Sequence, residues 1–217
     1  MTNDRLDLVI AGLGSQPLAY ACFVLARMAQ NRGMEVHILE PEKTDCKALA
    51  HIRIGKKATR TPIGEGEADI LVGLEPVDAV RSLCYLKKDG IAILNAPDTL
   101  SNDMFARSLP DVADPMALLG SFRTEHKDAL TMARQLGSPI ALVTILLGML
   151  SRHMSFSDFD WRHAIGSSVP RKTFALNIRA FQAGRGEAEY EAEPMQRSLL
   201  DESDMTKKDD ECSDTTM

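Results

Sequence analysis

The chain has 217 residues, of which 44% are hydrophobic and 26% charged, and a formal charge of −6, a length suited to one hydrophobic core with a small appendage. Residues 185–217 hold eleven Asp and Glu against four Arg and Lys, so this tail is −7 and the body +1. A body so near neutrality excludes the electrostatic footprint of a nucleic-acid binder, and the longest apolar run, Pro139 to Leu150, falls far short of the ~20 residues that span a bilayer.

The first segment, Leu6 to Pro17, reads as a strand, a turn and a helix start. Leu8 to Ala11 is a buried strand, Gly12 and Gly14 supply a tight turn, and Pro17 stands where a helix begins. Pro17 to Arg32 then spaces Leu18, Ala21, Cys22, Leu25 and Ala29 as a helix, which stops at Asn31-Arg32-Gly33. Val36 to Leu39 is a second strand, and the three elements together predict a right-handed βαβ unit. Glu40 to Ala50 has no clear period. His51 to Ile54 and Thr61 to Ile63 flank Gly55-Lys56-Lys57, a pattern that predicts a hairpin or a short antiparallel excursion.

Asp69 to Leu74 is a further buried strand, and Glu75-Pro76 opens a helix with Val77, Val80, Leu83 and Cys84 on one face, ending at Lys88-Asp89-Gly90. Ile91 to Asn95 is the next strand. From Thr124 the spacing turns helical, with helices expected over Glu125 to Leu136, Pro139 to His153, Ser157 to Ile165 and Pro170 to Ala183. The fold class that follows is α/β, a three-layer α/β/α arrangement with a mostly parallel sheet and a C-terminal helical segment. The domain is expected to span residues 1–184, with 185–217 an acidic, disordered tail.

Residue types that carry chemistry are sparse. Cys22, Cys46, Cys84 and Cys212 are far apart and form no C-x-x-C pair, which excludes a zinc or iron–sulfur seat, and their usage with no signal-peptide pattern points to the cytoplasm. His37, His51, His126, His153 and His163 have no partner at metal-ligand or triad spacing; His37 and His51 fall in or near strands, the others in polar helical surroundings. Gly64-Glu65-Gly66-Glu67 lacks the further carboxylates of a hard-cation loop. No catalytic and no metal-binding residue is expected.

Binding candidates cluster at strand ends. Gly12, Gly14, Ser15 and Gln16 form the first turn, although the third glycine of a dinucleotide fingerprint is replaced by Pro17, which removes a backbone donor. That turn has a plain structural reading and a binding one, and both stay open. Glu75 and Asn95 each stand at the C-terminal end of a predicted parallel strand, where open α/β sheets bind ligands. For Glu75 the competing reading is a helix-start residue favoured by the dipole.

Read in order, Val9 to Gln16, Glu65 to Leu71, Leu74 to Arg81, Tyr85 to Gly90 and Ile93-Leu94-Asn95 resemble the gamma module of 2-oxoacid:ferredoxin oxidoreductases, with the indolepyruvate-type beta subunit the nearest in pattern. Ala133 to Pro139, Leu146 to Leu150, Val169 to Lys172, Asn177, Ala180-Phe181 and Gly184 extend the likeness, which covers residues 6–186. The resemblance implies a three-layer α/β subunit that assembles with a large partner carrying thiamine diphosphate and iron–sulfur clusters. It further implies oxidative decarboxylation of arylpyruvates, coenzyme A as acyl acceptor and ferredoxin as electron acceptor, with no cofactor held by this chain alone; the strand-end positions leave Gly12, Gly14, Ser15, Gln16, Glu75 and Asn95 as the cofactor-binding candidates.

Three positions depart from that pattern. Gly14-Ser15-Gln16-Pro17 replaces the family's Gly-Gly-Gln-Gly, Glu40 to Ala50 lacks its Ser-Gln-Arg-Gly-Gly motif, and Val143 stands in place of an Asn. They make a divergent, non-catalytic assembly or regulatory module the alternative reading. An independent nucleotide-binding enzyme is the least supported, because Pro17 weakens the phosphate turn.

Overall fold

Apolar runs at period two or in unbroken blocks form most of the sheet, and these runs end at or within two residues of a glycine or proline, where the chain can turn. The computed structural model of the chain describes residues 5–12, 15–39 and 48–187. The strands are β1 (Arg5–Gly12), β2 (Glu35–Leu39), β3 (Ala48–Gly55), β4 (Ala68–Gly73), β5 (Leu86–Asn95) and β6 (Arg123–Lys127). The helices are α1 (Ser15–Asn31), α2 (Pro76–Ser82), α3 (Pro115–Gly120), α4 (Ala129–Gln135), α5 (Leu142–Ser151), α6 (Asp158–Ser168) and α7 (Phe174–Arg185).

The six strands lie in the order β2-β3-β1-β4-β5-β6. β1, β4, β5 and β6 are parallel neighbours, and β3 runs antiparallel to both β1 and β2. Side chains alternate across the sheet. Leu8, Ile10, Ile52, Ile54, Ile70, Val72, Ile91 and Ile93 meet α1 and the C-terminal helices on one face. Val9, Ala11, Leu71, Ala92 and Leu94 meet α2, α3 and the Phe105 segment on the other. The expected three layers are present, with Trp161 and Phe181 packed in the larger core at 5.6 Å. No described helix is long and apolar enough to cross a membrane.

Several local expectations are corrected. The unit β1-α1-β2 exists, but β3 sits between its two strands. Of the two forms expected at 51–63 the hairpin does not form, while the antiparallel excursion does: β3 pairs antiparallel with β1 and β2, because eight residues of cross-strand hydrogen bonding with β1 outweigh a local turn. The helix expected to run to Lys88 ends at Ser82, followed by a short 3-10 turn over Leu83–Tyr85, and Lys87-Lys88-Asp89-Gly90 belong to β5. Residues 123–127 form strand β6, so His126 lies in a strand; a polar edge strand pairs through its backbone and needs no apolar alternation. Helix α1 starts at Ser15, two positions before Pro17. Cys46, Cys212, Glu40 to Lys47 and the tail beyond Glu187 lie outside the described residues.

Candidate functional site

β1 lies at the topological switch of the sheet. The chain leaves it for β2 and β3 on one side and for β4 on the other, and the C-terminal ends of β1, β4, β5 and β6 share one edge. Open α/β sheets place ligands at such a crevice. Here the edge is organised around Leu74, the residue after β4, whose N–H donates to the Ala11 carbonyl at 2.7 Å.

Gly12 and Asn95 both meet Leu74, for structural reasons. A Cβ on Gly12 would fall 2.5 Å from the Leu74 Cβ, so the glycine is needed for the close approach of the two strand ends. The Asn95 amide nitrogen donates to the Leu74 carbonyl at 3.0 Å, and its oxygen accepts from the Leu130 N–H at 3.1 Å. Asn95 is 9% exposed, and its side chain ties the end of β5 to the segment after β4 and to the first turn of α4. Lys127, which ends β6, donates to the Ala183 carbonyl at 3.2 Å, and burial, with the Arg152 charge, lowers its pKa.

Glu75 differs from these. It holds the N-cap position of α2 with extended backbone, Pro76 follows at the first helical position, and its side chain makes no capping bond. Burial pushes its carboxyl pKa up, and Asp78 one turn on adds repulsion. Of the sequence-singled polar side chains at this edge, Glu75 and Asn95 are the described ones, and only Asn95 is hydrogen-bonded. Gly14 lies outside the described residues, and Ser15 and Gln16 open α1.

Sequence reading passed over a cleft of about 140 Å³ beside this edge. It lies between Ala11, Ala48 and Leu49 on the sheet and Asp78, Arg81, Ser82, Cys84 and Tyr85. Residues 78, 81, 82 and 85 share the i, i+3, i+4, i+7 spacing of one helical face, a signal that was available. Arg81 is anchored, donating to the Ser108 carbonyl at 2.6 Å. Burial, followed by Glu65, pushes the Cys84 thiol up, which opposes a nucleophilic role. Behind the cleft the buried His51 accepts from the Ile63 N–H at 2.8 Å through Nδ1 and stacks edge-on against Tyr85 at 5.0 Å.

Among the described residues no group of three His, Cys, Asp or Glu could hold a metal ion. Cys22 is packed in the core of the α1 face and Cys84 lines the cleft on the opposite face, so the two do not fit an iron–sulfur cluster.

The sequence profile of the pyruvate ferredoxin/flavodoxin oxidoreductase family matches residues 7–187. The chain belongs to that family. Among its curated relatives is the indolepyruvate oxidoreductase subunit IorB of Thermococcus kodakarensis, 29% identical over 190 residues that cover 82% of this chain and 93% of the relative. The IorB subunit of Archaeoglobus fulgidus is 28% identical over 85% of this chain and 96% of its own. The fold is shared with the gamma subunit of a keto/oxoacid ferredoxin oxidoreductase from Geobacter sulfurreducens, at a TM-score of 0.65 and 18% identity over 85% of this chain and 97% of that one. A 2-oxoglutarate:ferredoxin oxidoreductase from Magnetococcus marinus contains the same fold in 31% of its chain, matching 86% of this one at a TM-score of 0.64 and 16% identity. The resemblance drawn from strand-end motifs therefore identified the family correctly, and the C-terminal edge described above is the edge of a family member's sheet.

Proposed function

We propose that this chain is the small subunit of an indolepyruvate-type 2-oxoacid:ferredoxin oxidoreductase. In this reading a larger partner holds thiamine diphosphate and iron–sulfur clusters, and the complex converts an arylpyruvate and coenzyme A to acyl-CoA and carbon dioxide, passing the electrons to ferredoxin. The observation that carries it is the match to IorB subunits over 93% and 96% of their lengths. The cofactor-facing side is assigned to Gly12, Gly14, Ser15, Gln16, Glu75 and Asn95, with Glu75 the side chain that meets what the partner brings and Asn95 and Gly12 fixing the shape around it. Residues 1–184 form the oxidoreductase domain, 185–217 a separate tail, and the complex works in the cytoplasm.

Co-expression with a thiamine-dependent large subunit tests this. The expected result is a stable heteromer that reduces ferredoxin with arylpyruvate and coenzyme A, and only when this chain is present. A large subunit equally active alone would overturn the proposal. The alternative, a non-catalytic assembly module, draws its support from Pro17 in the first turn of α1 and would show as a heteromer with no arylpyruvate-dependent turnover.

A further inference from the structure

The cleft beside the strand ends measures about 140 Å³. Sites for drug-sized ligands measure about 300–1,000 Å³, so this one is fit for a single ring system and not for a whole cofactor. Its sheet side is apolar. Leu49 stands opposite Ala11 in the β1–β3 register, and the short side chains of Ala11 and Ala48 leave the gap that Leu49 borders. Tyr85 supplies an aromatic wall, and the edge-on contact with His51 at 5.0 Å holds its ring in place.

The charged groups on the helix side are already engaged. The Arg81 guanidinium donates to the Ser108 carbonyl at 2.6 Å and to the Asp78 carboxylate at 3.4 Å. A charged ligand would have to compete with these contacts, so the cleft favours a neutral group. Ser82 is different. It is only 7% exposed, it lines the cleft, and it makes no capping bond to the 3-10 turn that follows it. Its hydroxyl has no hydrogen-bond partner among the described residues. Buried hydroxyls are nearly always matched, so this one marks the place where a bound molecule presents a polar atom.

We infer that the cleft receives the aromatic ring of the substrate, an indole, with the ring against Tyr85, Leu49 and Ala11 and its N–H donated to the Ser82 hydroxyl. Indole meets each requirement: it is flat, apolar and neutral, and its one N–H matches the one free hydroxyl. The 2-oxoacid end stays outside the cleft, at the strand-end edge where Glu75 stands. The inference rests on the oxidoreductase reading above and adds to it a residue that sets the preference among arylpyruvates.

Binding to the full chain, followed by saturation-transfer NMR, tests the inference with indole and with indene, its carbon counterpart without the N–H. The parent should bind indole about fivefold more tightly than indene. Ser82→Ala, at an unchanged melting temperature, should bind the two equally, and Ala48→Phe, which fills the cleft, should bind neither. In the assembled complex, Ser82→Ala should lower kcat/KM for indole-3-pyruvate relative to phenylpyruvate about fivefold. A parent chain that binds neither ring, or an indole preference that survives Ser82→Ala, would overturn the inference whatever the complex does. Turnover of arylpyruvates with the same ratio in Ser82→Ala and parent would overturn it too and keep the oxidoreductase reading. The expected ring binding with no arylpyruvate turnover would instead overturn that reading and uphold the cleft as an indole site.

Discussion

Gly148 of α5 and Gly184 of α7 meet so closely that a Cβ on Gly148 would lie 3.0 Å from the Gly184 Cα and 2.2 Å from the Phe181 carbonyl oxygen. A Cβ on Gly184 would in turn fall 2.0 Å from the Ile145 carbonyl oxygen. Both obstacles are backbone atoms, which cannot swing aside as a side-chain tip can. The same crossing carries a buried polar chain, in which the Thr144 hydroxyl donates to Asn177 at 2.7 Å and lies 3.2 Å from the Tyr20 hydroxyl.

Gly184→Ala should therefore destabilise the domain through overpacking, by about 3 kcal/mol, lowering the melting temperature by about 6–12 °C. Thermal unfolding followed by circular dichroism measures this. A melting temperature equal to that of the parent would show that the two helices can part at no cost.

Asn95→Ala leaves the Leu74 carbonyl and the Leu130 N–H without their partner in a buried place. Each orphaned group costs about 1–3 kcal/mol. The expected outcome is a drop in urea midpoint at unchanged slope. An unaltered midpoint with lost turnover in the complex would assign Asn95 to ligand contact instead of to the scaffold.

Glu75→Gln should behave in the opposite way. Because burial and Asp78 raise the Glu75 pKa in the folded chain, its contribution is fully present below the ordinary carboxylate pKa and is lost as pH rises through the raised one. The amide removes that penalty, so the variant should match or exceed the parent in stability at neutral pH. In the assembled complex, turnover should fall about tenfold, equivalent to about 1.4 kcal/mol of transition-state stabilisation. Full turnover would remove Glu75 from the site.

His51 couples stability to pH. Burial, and then the Arg53 charge, lower its pKa from the usual 6.5. A group depressed in this way favours the fold fully above its unfolded pKa, and that contribution is lost as pH falls below it, where only the unfolded chain takes up the proton readily. Urea unfolding between about pH 7 and about pH 5 should show stability falling with pH in the parent and a shallower fall in His51→Asn. Parallel slopes in the two proteins would reject the assignment.

How much of this was legible in the residues depends on where each element draws its stability. β1, β4 and the second half of β5 announce themselves because strands buried on both faces need unbroken apolar runs such as Leu8 to Ala11 and Ile91 to Leu94. Arg123 to Lys127 hid strand β6 because an edge strand is held by one neighbour's backbone, and its polar side chains mimic a helix surface. The candidate edge at the switch point of the sheet followed from strand ends and glycines. The task of Asn95 did not, since its partners Leu74 and Leu130 are 21 and 35 positions away in the chain. The face of Asp78, Arg81, Ser82 and Tyr85 was visible as spacing, but only the arrival of Ala48 and Leu49 beside Ala11 made it a cleft.

At the sheet end opposite the cleft, Asp7 and Arg53 are directly paired partners on β1 and β3, joined at 2.6 Å, with Arg53 also holding the Thr61 and Pro62 carbonyls. The inserted antiparallel strand could in principle slide along β1. A slip of one residue would exchange the two faces of β3, driving the Arg53 guanidinium into the layer that now holds Ile52 and Ile54 and leaving Asp7 facing an isoleucine. An ion pair of this kind adds little net stability beyond what apolar neighbours would provide. Its effect is to make every wrong alignment of β3 cost a buried, unmatched charge, so that the strand which interrupts the β1-α1-β2 unit can enter the sheet in one way only.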